Sequence, residues 1–315
     1  MNLVTAFLKL VRWPNLVFIA LTQVLFYYAI VLPSFSINNY YGYKLSEPLL
    51  ACLILSSVLI AAAGYIINDY FDLNIDQVNK PDSIIVQKII RRRWAIIWHL
   101  SLSVIGVLLA VYIGWKIKNI FLPLANLFCV LLLWFYSTTF KKKLLIGNAI
   151  ISLLTAWVIG VIYVCEINIS MLNNPLYNNV ITRIFKFTAI YAGFAFLISL
   201  IREIVKDMED IEGDARYDCK TIPIVWGMQV ARIFTSVWLI VLLASVIIMQ
   251  LYAIMLSWWA GVIYSLLLIV LPLFKIFRDL YRAESSADYH KLSSSIKLVM
   301  LTGILSMLFF IYYSR

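Results

Sequence analysis

Nine long apolar runs recur along the chain, separated by shorter polar stretches. They lie roughly at 16–33, 48–68, 94–115, 119–139, 144–166, 184–206, 230–252, 255–276 and 294–313. A helix needs about 20 largely apolar residues to cross the hydrocarbon core of a bilayer. The pattern therefore predicts nine transmembrane helices. Only a short Met255-Leu256-Ser257 turn divides the seventh from the eighth. Ahead of the first run, Leu3, Phe7, Leu10 and Val11 share a helical face, which predicts a helix over 1–12 along the membrane surface. The polar stretch 277–292 reads as a loop with some helix.

Composition agrees with the pattern. Hydrophobic residues are 63% of the 315 and charged residues 13%, against about 45–50% and 25% in soluble domains. A soluble enzyme, a disordered chain, a coiled coil and a collagen-like fibre are excluded. The fold class expected is all-α: a polytopic membrane protein, a single domain over 1–315. The start lacks the short apolar core and cleavage site of a signal peptide and reads as retained. Cys52, Cys129, Cys165 and Cys219 form no CxxC and suggest no disulfide framework. His99 and His290 are isolated and read as packed or solvated.

Charge sets orientation. The net charge is +10, which in a soluble protein would raise the question of nucleic acid. Here the basic residues read as topology signals, and no nucleic-acid partner is expected. With nine spans, twenty of the 26 Lys and Arg fall on the side of the N-terminus. The positive-inside rule then places the N-terminus and the 69–93 and 207–229 loops in the cytoplasm, with the C-terminus opposite. Lys141, Lys142 and Lys143 read as an anchor of this kind.

The acids are concentrated. Eleven of the 16 Asp and Glu fall in two windows: Asp69, Asp72, Asp76 and Asp82, then Glu203, Asp207, Glu209, Asp210, Glu212, Asp214 and Asp218. Both windows follow predicted spans, the second and the sixth. In each, three aspartates stand at i, i+3 and i+7, positions within about 60° of one another on a helix. Like charges so placed repel. A hard cation would relieve them, and Mg²⁺, which takes one or two carboxylates together with phosphate oxygens and water, is the natural candidate. Metal-held carboxylates can in turn hold a diphosphate, whose departure from an allylic carbon the metal would ease. The repeated spacing also reads as the relic of an internal repeat.

These residues resemble the UbiA superfamily of intramembrane prenyltransferases. The resemblance is carried by Asn68-Asp-Tyr-Phe-Asp72-Leu-Asn-Ile-Asp76 and Lys206-Asp-Met-Glu-Asp210-Ile-Glu-Gly-Asp214. Arg12 with Asn15, Tyr136-Ser137, Gly147-Asn148 and Lys220-Thr-Ile-Pro support it. It implies a nine-helix bundle around a central cavity with a cytoplasmic-side active site. It also implies Mg²⁺-dependent transfer of a prenyl group from a prenyl diphosphate to a lipophilic acceptor. Asp69, Asp72 and Asp76, with Asp207, Asp210 and Asp214, would hold metal, with Asp69, Asp72, Asp207 and Asp210 central to catalysis. Asn15, Asn68, Lys80, Tyr136, Arg202, Lys206 and Lys220 would contact substrate. Asn79-Lys80-Pro81-Asp82 and the string from Arg202 to Asp214 are most similar to geranylgeranylglycerol-phosphate geranylgeranyltransferases, enzymes of ether-lipid synthesis. Ser83 departs from that pattern, where relatives often carry Arg.

Other readings compete. An aromatic acceptor of quinone synthesis, 4-hydroxybenzoate or 1,4-dihydroxy-2-naphthoate, would keep the reaction and change the nucleophile. A cation transporter would place acids near the bilayer midplane, whereas these lie at span ends. Arg202 is expected to orient a carboxylate or meet a phosphate, because charge inside a span is costly. Asn15 would cap its helix or bind a headgroup. Glu166, at the far end of span five, has no role that the sequence suggests.

Overall fold

The computed structural model describes residues 2–36, 43–81, 84–167 and 169–313. Asp82 and Ser83, which entered the sequence reading, lie outside them. The regular structure of the described residues is helical apart from one isolated bridge, Val86 to Ile90. Nine helices among them are long and apolar enough to cross a membrane.

In chain order the elements are α1 (Leu3–Leu10), α2 (Trp13–Ser36), α3 (Glu47–Phe71), α4 (Leu73–Asn79), α5 (Arg92–Ile117) and α6 (Phe121–Thr138). Then follow α7 (Ile146–Glu166), α8 (Pro175–Glu209), α9 (Ile211–Arg216), α10 (Met228–Met255), α11 (Trp259–Arg282) and α12 (Ser286–Tyr313). All nine predicted spans are present. The Met255-Leu256-Ser257 turn divides α10 from α11, with Ser257 at φ 59°. One expectation fails: 277–292 is hardly a loop. Helix α11 runs to Arg282, and α12 starts at Ser286 because Ser285 and Asp288 form a reciprocal capping box. Two π-helical turns, Tyr27–Val31 in α2 and Leu266–Val270 in α11, carry no apolar-pattern signature.

The chain divides into two compact units. The first comprises 1–24, 34–141 and 157–188. Its α3, α5 and α6 pack through small and polar residues, as membrane helices do. Ser56 Oγ donates to the Gly106 carbonyl at 2.7 Å and accepts from Asn126 Nδ2 at 3.2 Å. His99 is buried with Nδ1 at 3.0 Å from the Ala63 carbonyl, a packed histidine as expected. Gln23, fully buried, donates to Ser57 Oγ and to the Val158 carbonyl, both at 3.0 Å.

At the N-terminus Asn2 caps α1 by accepting from the Thr5 N–H at 2.9 Å. Ala6, Leu10 and Val11 pack with Ala62 and Ile66 of α3, with Phe7 against the same cluster. Leu3 stays exposed with Val4 and Leu8, so the apolar face predicted for 1–12 is partly a packing face.

The turn from α5 to α6 needs glycine. A Cβ on Gly114 would stand 2.7 Å from the Asn119 carbonyl oxygen and 2.9 Å from Pro123 Cδ. Backbone cannot give way as a side chain can. Gly114→Ala is therefore expected to destabilise the protein by about 1–3 kcal/mol, read as a lower melting temperature in detergent. An unchanged melting temperature would show that the turn relaxes freely.

The second unit comprises 25–33, 142–156 and 189–315. Its core joins Ile198, Ile201 and Ile204 of α8 with Leu239, Leu273, Ile296 and Val299 of α10, α11 and α12. Thr302 Oγ1 donates at 2.8 Å to the carbonyl of Leu268, inside the π-helical turn, where the regular ladder is interrupted. Arg232 Nη2 donates to Tyr289 Oη at 2.9 Å.

Candidate functional site

The first aspartate arm lies in the first unit. Helix α3 stops at Phe71, and Asp72 (φ −82°, ψ −1°) joins it to α4. The carboxylates therefore do not sit on one unbroken helix, as the i, i+3, i+7 spacing implied. The break is slight: the Asp72 N–H donates to the Asn68 carbonyl at 2.9 Å and the Asp76 N–H to the Asp72 carbonyl at 2.8 Å. Arg12 Nη2 donates to Asp69 Oδ1 at 2.8 Å. Asn68 Nδ2 donates to Asp72 Oδ2 at 2.6 Å, and Lys141 Nζ meets the same oxygen.

Arg12 reaches Asp69 from the corner between α1 and α2, where its own φ is 51°. Its guanidinium also lies 5.1 Å from the Tyr65 ring centroid, within cation–π range. Burial works against the Arg12 charge, but Asp69, helped by Tyr65 and Asp72, outweighs it and holds the guanidinium pKa above its ordinary value. Asp76 is pushed up to about 6, first by burial and then by the charge of Asp72, with Lys141 pulling the other way.

The second arm lies in the second unit and repeats the plan. Helix α8 stops at Glu209, and Asp210 (φ −99°, ψ 13°) joins it to α9. The Asp210 N–H donates to the Lys206 carbonyl at 2.9 Å, and the Asp214 N–H to the Asp210 carbonyl at 3.1 Å. Asn148 Nδ2 donates to Asp207 Oδ2 at 2.8 Å. Glu203 Oε1 accepts from Arg202 Nη1 at 3.2 Å and from Lys206 Nζ at 3.0 Å. Glu209, buried, lies 2.9 Å from His290 Nδ1. So His290, exposed as its isolation suggested, has a carboxylate partner.

Several residues matched to the family motifs stand at the edges of these arms. Lys80 caps the C-terminus of α4. Tyr136 is half-buried in the last turn of α6. Lys220 is exposed, and its N–H donates to the Lys142 carbonyl at 3.0 Å. Asn15 lies inside the first turn of α2, its N–H donating to the Arg12 carbonyl at 2.8 Å, and is not the helix cap.

Sequence reasoning underrated Lys141. It reads as one of three anchoring lysines, yet it is paired with a buried aspartate. Its only signal was its place five residues after Tyr136. Arg12 and Asn148 were visible only as motif matches, without their aspartate partners.

Among the described residues no three His, Cys, Asp or Glu side chains converge into a cage for a metal ion. Mg²⁺ needs no such cage, since one or two carboxylates suffice when phosphate and water complete its shell. The first arm offers a suitable oxygen besides its carboxylates: Asn68 Oδ1 is buried and has no hydrogen-bond partner. An orphaned acceptor beside two carboxylates is a hard-cation ligand set. The donor chemistry of the arm fits the ion.

Several known proteins are similar to this chain. The digeranylgeranylglyceryl phosphate synthase of Methanothermobacter thermautotrophicus is 31% identical over 255 residues, 79% of this chain and 81% of that one. The synthase of the same description from Methanosphaera stadtmanae is 28% identical over 260 residues, 81% of this chain and 86% of that one. Among solved structures, a digeranylgeranylglyceryl phosphate synthase covers 99% of this chain and 100% of its own, with TM-score 0.64 and 22% identity. A UbiA homolog from Archaeoglobus fulgidus bound to GPP and Mg²⁺ covers 96% of this chain and 99% of its own, with TM-score 0.57 and 15% identity. At these identities the two structures show a shared fold. The profile of the UbiA prenyltransferase family matches residues 40–301, a segment that contains both aspartate arms. With nine apolar helices and both motifs in that match, the chain is an integral membrane protein that belongs to the UbiA prenyltransferase family.

Proposed function

We propose that this prenyltransferase moves a geranylgeranyl group from geranylgeranyl diphosphate to geranylgeranylglyceryl phosphate, with Mg²⁺, as one catalytic domain over 1–315. The observation that carries the reading is the similarity to digeranylgeranylglyceryl phosphate synthases over about four fifths of both chains. The asymmetry of Lys and Arg along the chain supports placing both arms and the N-terminus on the cytoplasmic side.

Asp69, Asp72 and Asp76, with Asp207, Asp210 and Asp214, are assigned to Mg²⁺ and the diphosphate it carries. Bound there, Mg²⁺ would neutralise the charge that grows on the departing diphosphate. Arg12 and Lys141 hold the side chains of Asp69 and Asp72 in place. Asn148 does the same for Asp207 through a hydrogen bond. In the reaction the allylic C–O bond of the donor breaks and the diphosphate leaves with the electron pair. The acceptor hydroxyl oxygen forms the new C–O ether bond, and its proton leaves with the diphosphate.

The test is a transfer assay on the purified protein in detergent with geranylgeranyl diphosphate and Mg²⁺. Geranylgeranylglyceryl phosphate, 4-hydroxybenzoate and 1,4-dihydroxy-2-naphthoate are offered separately. Transfer to the glyceryl phosphate is expected, and chelation of Mg²⁺ should stop it. Transfer only to an aromatic acceptor would keep the reaction and discard this substrate.

A further inference from the structure

The two arms share a plan but differ in charge just before it. Aligned on Asp69 and Asp207, the sequence pairs Asn68 with Lys206, Tyr65 with Glu203 and Gly64 with Arg202. The first arm is reached through an uncharged turn of α3, the second through a turn of α8 that carries a cation and an acid. Charge within a spanning helix is costly and is kept where it binds something. The aspartates are common to both arms. Arg202 therefore serves a need that only the second arm has.

Its geometry shows which kind of ligand. Arg202 is mostly buried, with 19% of its side chain exposed. One Nη donates to Glu203, and Lys206 donates to the same Glu203 oxygen. Arg202 Nε is buried with no hydrogen-bond partner. Nε and an Nη together form the planar fork by which guanidinium binds a phosphate. Glu203 fixes the orientation of that fork without filling it. Arg202 stands five residues before Asp207, about 7 Å nearer the middle of the span. In the first arm, by contrast, Arg12 and Lys141 are both paired with aspartates.

We propose that Arg202, oriented by Glu203 and flanked by Lys206, is the subsite for the phosphate monoester of the acceptor lipid. This rests on the reading of the acceptor as a glyceryl phosphate. Such an acceptor brings a dianionic headgroup towards carboxylates that repel it. A cation not spent on the aspartates offsets that repulsion and selects phosphorylated acceptors over neutral or aromatic ones.

The test uses the full-length protein in detergent and reads binding separately from turnover. Binding of geranylgeranylglyceryl phosphate and of unphosphorylated geranylgeranylglycerol is followed by tryptophan fluorescence, and KM is measured for each substrate of the transfer. The wild-type protein should prefer the phosphorylated lipid. Arg202→Gln should erase that preference and raise the acceptor KM about 10- to 100-fold, with the donor KM within twofold. Arg202→Lys should recover part of it. Glu203 keeps Lys206 as a partner in both variants, so no carboxylate is stranded.

Equal binding of the two lipids by the wild-type protein would overturn the inference. So would a preference that survives Arg202→Gln, or an equal rise in donor KM. A phosphate preference lost in Arg202→Gln, in a protein that transfers nothing to this lipid, would support the subsite and sink the proposed reaction. The two failures are thus distinguishable.

Discussion

Asp72→Ala is expected to lower prenyl transfer by roughly 10³-fold, the scale seen when one preorganised electrostatic contact to a transition state is lost. Asp72 is 4% exposed and stands where α3 gives way to α4. Its Oδ2 receives Asn68 Nδ2 and meets Lys141. The substitution removes a carboxylate assigned to Mg²⁺ and takes from Lys141 its Asp72 counter-charge, so two effects must be separated. The double variant Asp72→Ala with Lys141→Met removes that cation as well. It should regain melting temperature lost by the single variant and regain no activity. Asp207→Ala should match the loss in turnover, because Asp207, the counterpart of Asp69, is assigned to the same metal–diphosphate role in the second arm, and there its hydrogen-bond partner Asn148 is neutral. Near-wild-type turnover in both Asp72→Ala and Asp207→Ala, with folding intact, would end the metal–diphosphate assignment.

The sequence was most readable where one physical force decides the outcome. Apolar runs of about twenty residues place nine helices, since only helices satisfy backbone groups in lipid without help from neighbours. The two arms were legible too, because acids are scarce in this chain and their clustering stands out. What stayed hidden depends on partners far away in sequence. A helical wheel puts Asp69, Asp72 and Asp76 on one stripe, but it cannot show that the helix yields at Asp72. Lys141 was ambiguous because a topology signal and a buried counter-ion use the same residue type. The run 277–292 misled for a different reason. It is polar enough to be loop, but the Ser285–Asp288 box starts a new helix within three residues of the last.

Glu166 shows the same limit and yields the largest stability effect expected here. Sequence gave this acid no role. In the first unit it is fully buried, and each carboxylate oxygen takes one backbone donor: Oε2 the Lys44 N–H at 2.8 Å, Oε1 the Leu45 N–H at 3.1 Å. The pairing bridges 121 to 122 residues of chain and pins the segment that enters α3 to the end of α7. Lys44 supplies charge as well, though burial, ahead of the attraction of Glu166, lowers its pKa. Glu166→Ala would leave both N–H groups without their acceptor, at about 1–3 kcal/mol each. The expected loss is about 3 kcal/mol, roughly 5–10 °C in melting temperature. Glu166→Gln should help little. Both carboxylate oxygens accept, so an amide must present its NH₂ to one of the two N–H donors, and a donor facing a donor is no bond. Thermal unfolding of the two variants in detergent checks this. A glutamine variant as stable as wild type would mean that only one of the two bonds matters. An alanine variant as stable as wild type would mean that water replaces both, and the clamp would have no part in holding α3.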